Sequence, residues 1–249
     1  MTKQHGRNPE LFRRVVKPGA KETVCVNMQC ARTLHRNGIG IGHMGNLCQV
    51  PKVELEKVIN TYRPEVISVF SIEKARQINE VCKKYNRTQK ILLRVHAPDD
   101  VFFLGMEGGF MLDELREAAS EIALMPGVKI EGVSTFPAVA YDKDGVQPVL
   151  THNILTLREG KKLLNSMGIE CRQVNAPGNN CCTTMKLLAE NGVTHVEPGS
   201  ALTGSSTYHL FTDKEPENPA MVYVTEISQP ASYTVNLRQS ETLTVVSES

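Results

Sequence analysis

The chain has 249 residues, room for one large α/β domain, and its 28 Lys+Arg against 27 Asp+Glu leave a formal net charge of +1. A balance so near zero supplies no field for a polyanion, so neither nucleic acid nor an anionic membrane surface is an expected partner. The seven cysteines, at 25, 30, 48, 82, 171, 181 and 182, are odd in number and lack the paired spacing of a zinc site or a disulfide scaffold. With no signal-like start and no apolar run near the roughly 18 residues of a membrane span, a cytoplasmic chain with reduced thiols is expected.

The first predicted element is a helix, NPELFRRVV, with Asn8 as N-cap and Pro9 at the first helical position. From there short β-branched runs alternate with longer amphipathic stretches, the pattern of βα units around a parallel sheet. The strands are ETVCV (22–26), IGIGHM (39–44), VISVFS (66–71), KILLRVHA (90–97), KIEGVSTF (129–136), ECRQVNA (170–176) and THVEPG (194–199). The helices between them are VELEKVINTY, SIEKARQINEVCKKY, LDELREAASEIALM, NILTLREGKKLLNSMG and TTMKLLAENG, and the last two end at glycine.

Seven strands from Glu22 onward point to a (β/α)₈ barrel of TIM type whose eighth strand belongs before residue 22. Only Met1 and Thr2 precede Lys3, so that first strand is expected to be largely missing, leaving exposed strand edges. The barrel is expected over residues 1–219, with a boundary at Glu217 to Pro219 and residues 220–249 forming one strand and a polar tail of a further β-domain.

Polar or glycine-rich clusters follow strand after strand: HMGN, HAPDD, STFP, NAPGNN and EPGSALTG. In a parallel barrel these lie at one rim, where active sites are assembled from βα loops. NAPGNNCCTT and EPGSALTG present small residues whose amides can face an anion, as a phosphate cradle requires. Gly40-x-Gly42-x-x-Gly45 matches a dinucleotide fingerprint by spacing, but its glycines lie inside a strand-like run and Pro51 starts the helix later, so no nucleotide site is expected. His43 and His96 close their strands and are candidate pocket residues, although such histidines are more often just hydrogen-bonded locally. Cys181 and Cys182 read as structural rather than reactive, and Asp99 with Asp100 offers candidate acid/base groups, although such a loop pair is usually solvated.

Lys3 in MTKQHGRNP, with GHMGNLCQVP, VISVFSIEKAR, LLRVHAPDD, GMEGGF, NAPGNNC and GVTHVEPGSALTG in order, resembles the YhfX-type pyridoxal-phosphate proteins, a branch of the alanine racemase N-terminal-domain superfamily. The resemblance runs from residue 1 to about Ser228. It implies a fold-type III barrel in which pyridoxal 5'-phosphate is bound as an imine to the lysine closing the first strand, here Lys3. Such a lysine forms the imine, yields to the substrate amine and moves a proton at the substrate α-carbon, which requires its amine to titrate well below the ordinary value of about 10.4. The resemblance places the phosphate at Asn175 to Asn179, through Gly178 and Asn179, and at Gly199 with Ser200, and makes His43 and His96 cofactor contacts.

Two departures change what the resemblance implies. Alanine racemases carry an arginine before the proline-glycine of the last strand, whereas this chain has Glu197, a carboxylate that favours a protonated pyridine ring and widens the chemistry to aldol or elimination reactions. An ordinary ion pair with a nearby lysine or arginine is the plainer reading of Glu197. Thr135 stands where a histidine usually faces the ring. Alanine racemases also take an acid/base tyrosine from the partner's C-terminal β-domain, a domain that breaks off here, and no metal is expected. The expected function is a pyridoxal-phosphate-dependent, racemase-like enzyme acting at the α-carbon of an amino acid or small amine, possible as a homodimer. The alternatives are a barrel that carries the cofactor without turnover, aldolase or dehydratase chemistry, and an inactive open barrel.

Overall fold

The computed structural model describes residues 1–16, 22–142, 147–204, 206 and 209. The expected boundary at Glu217 to Pro219 and the β-domain segment 220–249 lie outside them. Helix α1 (Pro9–Val16) starts as its sequence predicts, with Asn8 Oδ1 accepting the Glu10 and Leu11 amides at 2.9 and 3.4 Å. After it come β1 (Thr23–Cys25), α2 (Met28–Arg36) and β2 (Ile41–Met44). Helix α2 is not among the predicted helices; Asn27 caps it, its Oδ1 accepting the Cys30 amide at 3.1 Å.

A helical stretch from Lys52 to Tyr62, with α3 (Leu55–Lys57) at its centre, ends at Arg63 in the left-handed region, φ 51°. Next are β3 (Val66–Val69), α4 (Ile72–Lys84) and β4 (Gln89–His96), then a short β5 (Phe110–Met111), α5 (Leu115–Ala123) and β6 (Val128–Ser134). Ser71 caps α4 as expected, accepting the Lys74 amide at 3.2 Å. An unforeseen antiparallel hairpin, β7 (Val139–Tyr141) with β8 (Pro148–Leu150), leads into α6 (Asn153–Ser166), followed by β9 (Gln173–Asn175) and α7 (Cys182–Glu190). Gly168 and Gly192 follow α6 and α7 with φ of 77° and 78°, the left-handed step that closes helices.

The strands form one curled parallel sheet in the order β1-β2-β3-β4-β6-β9, with β5 added to β4, and a parallel bridge from Asn175 to His195 extends it by a seventh stave. All seven predicted strands are therefore staves. Met1 and Thr2 lie between β1 and the last stave, the two ends of this sheet. Thr2 N donates to Val24 O at 3.3 Å, and the Met1 amino group donates to Pro198 O at 2.8 Å, so two residues bridge the first stave to the last. Backbone donors at a sheet edge seek acceptors whatever the strand's length, and two residues suffice to reach both neighbours.

Side chains alternate across each stave. On β4, Ile91, Leu93 and Val95 join the buried apolar layer under the helices; Gly160 of α6 lies so close to Val95 and Val133 that a Cβ there would meet both at 3.5 Å. Leu92 and Arg94 consequently face the lumen. The closest approach is at Gly132 of β6, where a Cβ would fall 1.8 Å from Gln173 O, so β6 and β9 can pair only because that position lacks a side chain.

Candidate active site at the barrel mouth

The C-terminal ends of the staves carry polar lumen residues that bond to one another. Ser134 Oγ on β6 lies 3.0 Å from Ser68 Oγ on β3, and Ser68 Oγ lies 2.8 Å from His43 Nε2 on β2. His43 Nδ1 is 2.6 Å from Glu197 Oε1 on the last stave. Asn175 Nδ2 on β9 donates to the same Glu197 oxygen at 3.0 Å. Glu197 is fully enclosed, with its side chain 1% exposed. Burial alone would raise its carboxyl, but the attraction and hydrogen bond of His43, the Asn175 amide and the N-terminal ammonium outweigh it and hold Glu197 below the ordinary carboxylate range. The partner of Glu197 is thus His43, not the lysine or arginine pair that its sequence context also allowed.

Arg94 enters the mouth from β4, on the far side of the ring of staves from Met1 and Thr2. Its guanidinium donates to Phe136 O at 3.1 Å and to Asn46 O at 3.3 Å, and lies over the Phe70 ring at 5.2 Å. Burial pushes it down to about 10, against the pull of Glu197 and Asp100. Arg94, Ser68, Ser134 and Asn46 are not among the expected site residues, although the rim clusters HMGN and STFP contain Asn46 and Ser134. The missed signal was a charge or hydroxyl at lumen parity within an apolar strand, as in ILLRV and VISV.

Two loops border this network. In the first, Gly178 has φ 113° and a Cβ there would lie 2.8 Å from Pro137 Cα; Asn179 follows with φ 52°, its Nδ2 donating to Val139 O at 2.7 Å. Asn180, another residue not singled out in the sequence, ties the loops together: its Nδ2 donates to Ala176 O at 3.1 Å while its Oδ1 accepts the Glu197 amide at 2.8 Å. In the second loop, Gly199 is pressed by Gln4, whose amide carbon would sit 2.5 Å from a Cβ, and Ser200 opens an exposed 3₁₀ turn, Ser200–Thr203. The Gln4 contact brings the Lys3 segment against this second loop.

Lys3 itself is exposed and begins a turn in which its carbonyl accepts the Gly6 amide at 3.2 Å. Thr135 is fully buried at the mouth, and His96 is half-buried with its ring edge-on to Phe102 at 5.8 Å, apart from the His43 network. Asp100 departs from expectation: it is buried rather than solvated, bonded to His152 and Thr156 at 2.8 Å each. Among the described residues, Glu197 Oε2, Asn175 Oδ1, Thr135 Oγ1, Arg94 Nε and Asn46 Nδ2 are buried without a hydrogen-bond partner. Unpaired buried polar atoms are costly, and this many in one mouth fit a polar ligand. No group of metal-ligating side chains occurs among the described residues.

A curled parallel βα sheet with a polar, carboxylate-centred mouth and two glycine loops on its last staves defines an alanine racemase-type barrel. The chain belongs to the family described as alanine racemase, N-terminal domain, whose model matches residues 1–207. It is 38% identical over 228 residues to the uncharacterized protein YhfX of Escherichia coli (strain K12), covering 92% of this chain and 58% of that relative's length. Among solved structures, alanine racemase of Clostridium difficile 630 is similar with TM-score 0.60 at 16% identity, over 79% of this chain and 48% of that one. D-threonine aldolase from Filomicrobium marinum is similar with TM-score 0.59 at 18% identity, over 86% and 57% of the two chains. Identities this low show the shared fold alone.

Proposed function

We propose that the barrel mouth binds pyridoxal 5'-phosphate and acts at the α-carbon of an amino acid, with racemisation the first reading and aldol or elimination chemistry compatible with the same site. The observation that carries this is Glu197, a buried carboxylate kept ionised by His43 and Asn175 whose second oxygen, Oε2, has no partner. An ionised acceptor in that position suits a ring N–H, and the residues around it fit the cofactor. When bound, pyridoxal 5'-phosphate supplies an electron sink for the electron pair left on a substrate carbon.

The chain's own residues divide the remaining work. Glu197 accepts a proton-bearing ring nitrogen and holds its positive charge, and His43, fixed between Glu197 and Ser68, keeps the carboxylate oriented. Gly178, Asn179, Gly199 and Ser200 offer main-chain amides to a phosphate, where the left-handed steps at Gly178 and Asn179 turn successive amides to one side. Lys3 is the attachment point and a proton carrier. Lys3 directly follows Thr2, whose hydroxyl donates to Val24 O at 3.3 Å, and precedes Gln4, which packs against Gly199. Arg94 offers its unpartnered Nε as a donor for the substrate carboxylate.

Mixing the protein with pyridoxal 5'-phosphate should generate the absorption band of a lysine-bound cofactor, and borohydride followed by peptide mass analysis should locate it on Lys3. Lys3→Ala should lose the band. A wild-type chain that stays colourless in excess cofactor overturns the proposal. Exchange of amino-acid α-protons with heavy water then separates an enzyme from a carrier.

A further inference from the structure

Lys3 lies in a loop, Thr2 to Arg7, that the backbone closes on itself: the Arg7 amide donates to Thr2 O at 3.0 Å and the Gly6 amide to Lys3 O at 3.2 Å. Gly6 and Arg7 turn the chain with φ of 63° and 60°. Glycine takes that left-handed step freely, but the Cβ of arginine opposes it, so a contact beyond the backbone is needed to hold Arg7 there. The Arg7 side chain supplies it by reaching α2, where its Nε donates to Cys30 Sγ at 3.3 Å. At the other end of the loop the Thr2 hydroxyl, besides its bond to Val24 O, is a hydrogen-bonding neighbour of the same sulfur.

Cys30 gives these contacts a fixed seat. It is fully buried in the first turn of α2, and its own amide is capped by Asn27 Oδ1 at 3.1 Å. Burial alone would raise its thiol, but the hydrogen bonds of Thr2 and Arg7, and those of the Asn27 and Val26 main chain, outweigh it and hold Cys30 below the ordinary thiol value. A sulfur richer in negative charge is the better acceptor for a guanidinium. The Cys25 thiol on β1 and the Met1 ammonium also lie within electrostatic reach of it. Elsewhere in the loop, Gln4 packs against Gly199, and His5, whose ring nitrogens have no partner among the described residues, lies 5.6 Å from the Phe12 ring. The Arg7–Cys30 bond thus fixes the end of the loop, as the Met1 and Thr2 donors fix its start.

We infer that Cys30 is a positioning residue for Lys3: by holding Arg7 and Thr2 on one sulfur, it fixes the loop from which the Lys3 amine reaches the cofactor. The step it serves joins the Lys3 nitrogen to the aldehyde carbon of pyridoxal 5'-phosphate, and the aldehyde oxygen leaves as water with the two hydrogens of the neutral amine. An amine on a loop held at both ends loses less freedom in that step than one on a loop held at one end. The inference rests on Lys3 being the cofactor lysine.

The test titrates the full chain with two ligands. Pyridoxal 5'-phosphate is followed by the lysine-bound absorption band; pyridoxine 5'-phosphate, which has an alcohol in place of the aldehyde and cannot bond to lysine, is followed by calorimetry. Cys30→Ala should weaken pyridoxal 5'-phosphate about 10-fold, as expected for losing a hydrogen bond to a charged group, and leave pyridoxine 5'-phosphate within about 2-fold of wild type. Cys30→Ser keeps an acceptor and should recover most of the loss. Arg7→Asn removes the guanidinium at a residue type that accepts the left-handed backbone, and should show the same loss. Combined with Cys30→Ala, the loss should stay at about 10-fold rather than multiply to about 100-fold, because both substitutions break one bond. Equal weakening of the two ligands, losses that multiply, or an affinity for pyridoxal 5'-phosphate that neither substitution changes would overturn the inference; Arg7→Asn with both ligands decides it should Cys30→Ala fail to fold. A wild type that forms no band overturns the Lys3 reading, and the inference with it, whereas failure in the variants alone leaves that reading standing.

Discussion

Glu197 concentrates the chemistry of the mouth in one side chain. Its oxygen Oε1 is held by His43 and Asn175, and its amide by Asn180, so its position is set from two other segments of the chain, β2 and the NAPGNN stretch. Replacing it with alanine leaves His43 and Asn175 facing a void, and should cost on the order of 3 kcal/mol in a urea titration at neutral pH. Glu197→Gln keeps an acceptor oxygen and should lose less. Because the folded carboxyl titrates below its unfolded value, the charge contributes stability above about pH 4.3 and loses it as pH falls through the folded value. The gap between wild type and Glu197→Gln should therefore be full at pH 6 and narrow as pH falls from the unfolded carboxyl value of about 4.3 through the lower folded one; a gap independent of pH would show that the charge is not what His43 holds. Glu197 was visible in EPG as a departure from a familiar arginine. Its partner was not, because His43 is 154 positions away and only the curl of the sheet brings the two together.

At the level of elements, the opposite end of the barrel has its own pH-dependent feature. The Glu22 carboxyl before β1 is pushed up to about 7, chiefly by a hydrogen bond shared with Glu65 before β3, then by burial and the charge of Glu65, against the pull of Lys90 on β4. A raised folded value contributes stability in full below the unfolded carboxyl value of about 4.3 and loses it as pH rises through about 7. Glu22 is exposed, so water screens the effect and only its sign is firm. Between pH 5 and pH 8 the urea midpoint of the wild type should fall more than that of Glu22→Gln, and parallel slopes for the two proteins would exclude the shared proton. The elements that hold these groups were mostly readable. Caps at Asn8 and Ser71 and terminal glycines at 168 and 192 mark helices α1, α4, α6 and α7 by local chemistry. Helix α2 carried the same signals, Asn27 before it and Gly38 after it, but is not among the predicted helices; the β7–β8 hairpin had none and is held by strand pairing.

At the scale of the whole molecule, Met1 and Thr2 stand between the first and last staves. Thr2 N and the Met1 amino group tie the first and last staves together, and Lys3 comes next in sequence. Thr2→Pro removes the donor to Val24 O and should lower stability by about 1 kcal/mol or more, while weakening the lysine-bound cofactor band because the segment carrying Lys3 loses its anchor. Urea midpoints and absorbance read both effects; an unchanged midpoint with an undiminished band would show that closure does not rest on Thr2. The amino-acid sequence by itself determined the seven βα staves, the rim on which chemistry must lie and the two glycine loops on the last staves, because strand alternation, caps and glycine steps are local properties of the backbone. Only the tertiary structure decided that two residues bridge the sheet's edges, that His43 rather than a cation holds Glu197, that Arg94 fills the lumen and that Asp100 is buried against His152. Each of these joins staves or loops distant in sequence, and the curvature of a parallel sheet, not any neighbouring residue, brings them within hydrogen-bonding distance.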